Sequence, residues 1–154
     1  MHLKDNRFMI ASLIVILAAL TIAGCGESRY IYKGAKVTQN DLKVQLTDGN
    51  QQGVWKTDVL AIKYQYQMSP EILNIAGTIE LVGGFAIGFK YISHLAVYLL
   101  FLDNQGNVIE NNLVYAGENN LTVPTPMGFE KTIPIPEGVR TISFTYDLSF
   151  AHEK

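Results

Sequence analysis

The chain has 154 residues, 48% hydrophobic, 17% charged and 10% aromatic, with a formal net charge of −2, the balance of one folded domain and not of a disordered chain. Its single cysteine excludes an internal disulfide framework and any multi-cysteine metal site. Lys4, Arg7 and Asp5 fall within the first 24 residues, so the remainder is near −3, with no basic stretch that could track phosphates, which argues against nucleic acid as a partner.

Residues 1 to 7 form a short polar stretch containing Lys4 and Arg7, and Phe8 to Ile22 is a run of fifteen residues without charge. This is the layout of a secretory signal, and it falls short of the roughly 20 apolar residues that a membrane span needs. The run ends in Ile22-Ala23-Gly24-Cys25, which resembles the lipobox of bacterial lipoprotein precursors. That resemblance covers residues 1 to 25. It implies cleavage before Cys25, a diacylglyceryl group on the Cys25 thiol and acylation of the new amino terminus, so that Cys25 is a lipidation site and not a catalyst. Each buried methylene contributes about 0.8 kcal/mol, and two or three long chains anchor a protein stably where one does not. Residue 26 is Gly, whereas in enteric lipoproteins an Asp there favours the inner membrane. The expected location is therefore a cell membrane, and the periplasmic side of the outer one where the host has two. The bland alternative is an uncleaved N-terminal helix with an incidental cysteine.

Residues 25 to 40 are expected to be the lipidated cysteine and a tether. Gly26 to Gln39 scatters Glu27, Arg29, Lys33 and Lys36 around Tyr30, Ile31 and Tyr32 with no sustained period. Such a stretch reaches at most about 50 Å when extended, which keeps the domain near the membrane.

From Asp41 onward the period is two, and residues 41 to 154 are taken as one domain. Leu42, Val44 and Leu46 alternate with polar neighbours, as do Leu60, Ile62, Tyr64 and Tyr66, then Leu73, Ile75, Gly77, Ile79 and Leu81, and finally Ile142, Phe144, Tyr146, Leu148 and Phe150. These read as half-buried strands. Asp48-Gly49, Gly83-Gly84, Asp103 to Gly106 and Pro136-Glu137-Gly138 punctuate the runs, and Asp103 to Asn107 reads as a tight hairpin turn with Gly106 at positive φ. Many short strands without an amphipathic helix predict an all-β, antiparallel β-sandwich. Leu102-Asp103-Asn104-Gln105-Gly106, with the apolar strand from His94 before it and the return strand after Pro136, resembles the immunoglobulin-like domains of envelope lipoproteins. That resemblance implies a fold class and no activity.

One stretch carries apolar residues on both parities: Leu95, Val97, Leu99 and Phe101 against Ala96, Tyr98, Leu100 and Leu102. A second transmembrane helix is excluded by Lys90, Ser93 and His94, which leave only eight clean residues. A strand apolar on both faces needs a cover on each side. The cover is either the chain itself, from Tyr30 to Tyr32 or around Trp55, or an external partner or ligand. Tyr98, a phenol with a polar tip, is the expected centre of any binding surface there. Trp55 follows a Gly/Gln-rich loop and is either a core plug or an exposed anchor. Pro124 to Phe129 reads as a rigid connector.

Chemistry is sparse. Beyond residue 25 the histidines are His94 and His152, no Gly-x-Ser-x-Gly elbow is present, and Ser93 and His94 would point to opposite faces of a strand. There is no His-x-x-x-His, and the Asp103 to Asn107 turn lacks a correctly placed bidentate Glu for calcium. Gly83 to Gly88 lacks the Lys and helix of a phosphate loop. No catalytic residue, metal or cofactor is therefore assigned. The expected function is a non-catalytic module of the bacterial envelope, anchored through lipid on Cys25, that binds an envelope protein or helps an assembly. The alternative is a carrier holding a lipid or other apolar ligand between its sheets.

Overall fold

A computed structural model describes residues 26–28, 31–82, 91–122 and 127–151. They form nine strands: β1 (Gly26–Ser28), β2 (Val44–Gln45), β3 (Gly49–Lys56), β4 (Leu60–Met68), β5 (Ile72–Leu81), β6 (Tyr91–Leu102), β7 (Val108–Thr122), β8 (Met127–Pro134) and β9 (Thr141–Ala151). One sheet runs β1-β9-β6-β7, with β2 also paired to β9, and the other runs β3-β4-β5-β8. Every pairing is antiparallel. The all-β sandwich follows from the period-two runs: β4 and β5 bury chiefly one parity, β9 buries its apolar parity together with Thr141, Ser143 and Thr145, and the run from Leu42, read as a strand, is a 3-10 turn followed by the two-residue β2. In the strand order β1 and β2 lie beside β9, and a β3-β4-β5 meander forms most of the opposite sheet.

The interior is apolar and aromatic. Ile62, Leu73, Ile75 and Ile79 from one sheet meet Leu95, Val97, Leu99, Phe101 and Ile142 from the other, all buried in one cluster. Phe144 stands at its centre, with the rings of Trp55, Tyr64 and Phe129 at 5.8, 5.7 and 6.5 Å. Tilted and edge contacts of this kind add about 0.5–1.5 kcal/mol each beyond the area they bury. Room for the rings comes from Gly77, which lies between Tyr64 and Phe129 in register. A Cβ there would meet the Lys63 carbonyl oxygen at 2.7 Å and Phe129 Cζ at 2.8 Å.

Two expected loops are strands. The Gly/Gln-rich stretch before Trp55 is β3, and Met127 to Phe129, assigned from sequence to a connector, open β8 with Met127 and Phe129 buried. Asn, Gln and Gly are poor strand formers, but pairing with β4 along the whole of β3 outweighs that preference. The Asp103 turn is as read: Gly106 has φ +84°, the Asp103 carboxylate accepts backbone N–H groups of Gln105 and Asn107 at 2.8 Å, and the Asn107 amide donates to it at 2.8 Å. These bonds, with the Asn107 side chain contributing most, hold the Asp103 carboxyl below its ordinary value.

The expected tether is folded in its described parts. β1 pairs with β9, Gly26 opposite Ser149. Further on, Ile31 donates its N–H to Thr145 Oγ1 at 3.0 Å. Gly34 and Val37 donate theirs to the Val108 and Gly106 carbonyls at 2.8 and 2.9 Å, and Val108 donates to Ala35 at 2.8 Å. The segment 31–37 thus crosses the outer face of the first sheet from β9 to the β6–β7 hairpin as a strap. The sequence hides this because alternation requires a regular strand, and the strap is mostly irregular backbone tied at a few points.

Candidate functional site

The two sheets present their outer faces differently. On the first, the second parity of β6 is Ala96, Tyr98, Leu100 and Leu102, and the strap covers the far part of it. Val37, Leu100, Leu102 and Val108 form a separate buried cluster with Ile31 packed against it. Full burial of each such side chain is worth about 1.5–3 kcal/mol. Over Leu100 and Leu102 the cover is therefore the chain's own, and it comes from Ile31 onward, not from Trp55, while Tyr98 stays half-buried beside Leu113, which is 47% exposed.

The strap then turns round the edge of β9. A single 3-10 turn, Asn40–Leu42, places the Leu42 carbonyl where Trp55 Nε1 donates to it at 3.1 Å and Ser143 Oγ at 2.7 Å. Trp55, one of the two proposed surface residues, is consequently a core plug, 2% exposed, because its indole N–H finds a buried acceptor. Tyr98, the other, is half-buried on the outer face, in register with Leu113 and Thr145. The structure keeps the two apart, on opposite sides of the β9-β6 layer. Cys25, the proposed lipidation site, and the stretches 83–90 and 123–126 lie outside the described residues.

His94 also lies on this face, half-exposed, after a register irregularity between Ile92 and His94 that sets both Ile92 and Leu95 into the core. Its Nε2 is 3.9 Å from Asp147 Oδ2, beyond hydrogen-bond length. Among the described residues no group of three His, Cys, Asp or Glu could hold a metal, and no helix is long and apolar enough to cross a membrane.

The outer face of the second sheet is uncovered by any described segment and is ordered in rungs. Asn50, Gln67, Asn74 and Thr132 are successive partners across β3, β4, β5 and β8, all exposed. The next rung is Gln52, Gln65, Ala76 and Glu130, and the one after it Val54, Lys63, Thr78 and Gly128. Thr132 Oγ1 donates to Asn74 Oδ1 at 2.7 Å. Lys63 is engaged with Glu80 at 2.8 Å in the open, a pair worth little in stability.

Short side chains at Ala76 and Gly128 leave the middle of this face sunken between longer ones. Two adjoining depressions of about 720 and 920 Å³ share Gln52, Gln65, Ala76 and Glu130 in their walls. A Cβ on Gly128 would meet only the Gly77 carbonyl oxygen, at 3.8 Å, so that floor is open to the outside. Beneath it, burial first and the neighbouring Tyr66 second push the Tyr64 phenol above its ordinary value. Sequence reasoning missed this site because its residues sit in β3, read as a loop, and on the polar parities of β4 and β5, read as simple solvated positions. The available signal was the run of amides, Asn50, Gln51, Gln52, Gln65, Gln67 and Asn74, set on strands that pair. Comparison with protein-family models, curated proteins and solved structures finds no match for the chain.

Proposed function

We infer that this chain is a lipid-anchored module of the bacterial envelope that acts by binding and not by catalysis, through the outer face of β3-β4-β5-β8. The observation that supports the binding face is the asymmetry between the two sheets. The chain folds its own strap over the far part of one outer face, beyond Tyr98 and Leu113, and leaves the whole of the other open, rung upon rung, with a sunken floor. The lipobox resemblance at Ile22 to Cys25 supports the anchor. The carrier alternative draws nothing from the interior, where the inward side chains of both sheets pack against each other, and the depressions on the second sheet open outward.

Two measurements test this reading. Cys25→Ala should leave an unprocessed precursor or release the protein from membranes, and an unlipidated wild-type protein by intact mass would refute the anchor. A photo-crosslinking amino acid at Gln65 should capture an envelope component in intact cells, while the same group at Tyr32, 65% exposed on the strap side, should not. Capture at Tyr32 alone would refute the choice of face.

A further inference from the structure

We propose that the sunken face of β3-β4-β5-β8 takes a neutral, hydroxyl-rich glycan, an inference that rests on the reading of this face as the binding surface. Chemical complementarity decides the class. The two rungs that frame the smaller depression carry one charge, Glu130, among eight positions, the rest being amides, a hydroxyl and an alanine, and Lys131 adds one cation to its wall. An amide side chain offers two donors and an acceptor on one planar group, and a sugar hydroxyl is likewise donor and acceptor at once. Each can serve the other without a charge to desolvate, which costs far more than burying a neutral group.

The competing occupants fit less well. A protein partner draws its affinity from buried Trp, Tyr and Arg anchors, and among the described outward positions of this sheet there is no aromatic, methionine or arginine. A nucleic acid or acidic polymer needs a cluster of cations; here Lys63 is paired with Glu80, Lys131 stands next to Glu130 in the wall of one depression, and Lys56 lies at the far end of β3, so the cations are scattered and offset by carboxylates. A lipid surface needs an apolar face, and this one is amide and hydroxyl.

Shape agrees with the chemistry. Strands lie about 4.7–4.9 Å apart, so a rung across four of them spans about 14 Å, the footprint of a short oligosaccharide and not of a single small metabolite. Ala76 and Gly128 keep the floor low enough for flat rings to approach the backbone, while Gln52, Gln65 and Glu130 rise beside it. Val54, 61% exposed, supplies an apolar patch at one margin for the C–H faces of a ring.

The test uses the purified full-length protein in detergent, incubated with insoluble chitin, insoluble cellulose and purified cell-wall sacculi, and reads the protein depleted from solution. Wild type should be retained by chitin or cellulose, the two neutral probes; retention by the sacculi alone, which carry peptide carboxylates, overturns the neutral class. Gln65→Ala, which strips a wall common to both depressions, should weaken retention about tenfold, the equivalent of one or two hydrogen bonds, and Gly128→Leu, which fills the larger depression from a strand position that accepts a side chain, should weaken it as well. Tyr32→Ala should bind as wild type, and equal urea midpoints should show that all variants are folded. Retention on none of the probes, or retention untouched by Gln65→Ala and Gly128→Leu, overturns the glycan. If a protein is captured from Gln65 in cells while no probe retains the chain, the face binds but its occupant is a protein; if neither occurs, the reading of the face falls with it.

Discussion

Removing the two side-chain donors to the Leu42 carbonyl, singly and together, probes how the sheets are locked at the edge of β9. Ser143→Ala takes away the hydroxyl that donates at 2.7 Å but leaves the acceptor with the Trp55 indole, so it should cost about 0.5–1.5 kcal/mol. Trp55→Phe removes the indole N–H at 3.1 Å and part of a buried ring packed on Phe144 and Tyr146. Its cost should be about 1.5–3 kcal/mol, below a full aromatic truncation because a phenyl ring remains. In the double variant the buried carbonyl has neither donor, and the desolvation penalty of an unsatisfied acceptor adds about 1–3 kcal/mol more. The cycle should therefore show a loss larger than the sum of the singles by about 1 kcal/mol or more. Urea denaturation followed by far-UV circular dichroism reads all four proteins, since the only tryptophan is the residue being replaced. Losses that add to within about 0.5 kcal/mol would refute the shared acceptor.

On β6, Leu100→Ala and Phe101→Ala should each cost about 2–5 kcal/mol, because Leu100 is sealed by the strap and Phe101 by the opposite sheet; the half-buried Tyr98→Ala should cost less than either in urea melts, and an equal loss would show that its outer side is core. Gly77→Ala should destabilise by about 1–3 kcal/mol by pressing a methyl into Phe129 and the Lys63 carbonyl, whereas Gly128→Ala should be neutral or mildly stabilising in thermal melts. The Asp103 carboxyl is held below its ordinary value by Asn107, so its contribution is present above the ordinary aspartate range and lost as pH falls through the lowered value. The stability gap between wild type and Asp103→Asn should accordingly close as pH falls through and below the ordinary aspartate range, and a gap that widens on acidification would refute the assigned bonding.

Four strands were legible because one parity of each had to be buried: Tyr64 and Tyr66 on β4, Ile75 and Ile79 on β5, Leu99 and Phe101 on β6, Phe144 and Tyr146 on β9. The Asp103 turn was legible because its carboxylate and Gly106 satisfy a local rule. What escaped were features fixed by distant partners. β3 reads as a loop since Asn50 to Gly53 bring no apolar alternation, and only the register with β4 makes them a strand. Val37 and Leu42 gave no hint that they close the outer face and edge of a sheet, because their partners, Leu100 and Ser143, lie far along the chain. Trp55 could not be assigned to core or surface until its acceptor, a backbone carbonyl thirteen residues away, was located. The amide face was invisible for a related reason, as its order exists across strands and not along them.

The position of β9 has a consequence for how the chain acquires its fold. The last of the described strands in sequence is an interior strand of its sheet, between β6 on one side and β1 and β2 on the other, with Gly26 opposite Ser149 and Val44 opposite Ile142. Until residues 141–151 arrive, the strap and the β6–β7 hairpin have no common neighbour, and Phe144 is missing from the middle of the aromatic cluster. Contacts between such distant parts of a chain pay their loop-closure entropy before they return any energy, which puts sheets of this topology in the millisecond-to-second range of folding times. Assembly of this sheet must therefore wait until residues 141–151 are available, and a chain stopped before Thr141 lacks the strand that joins β1, β2 and β6.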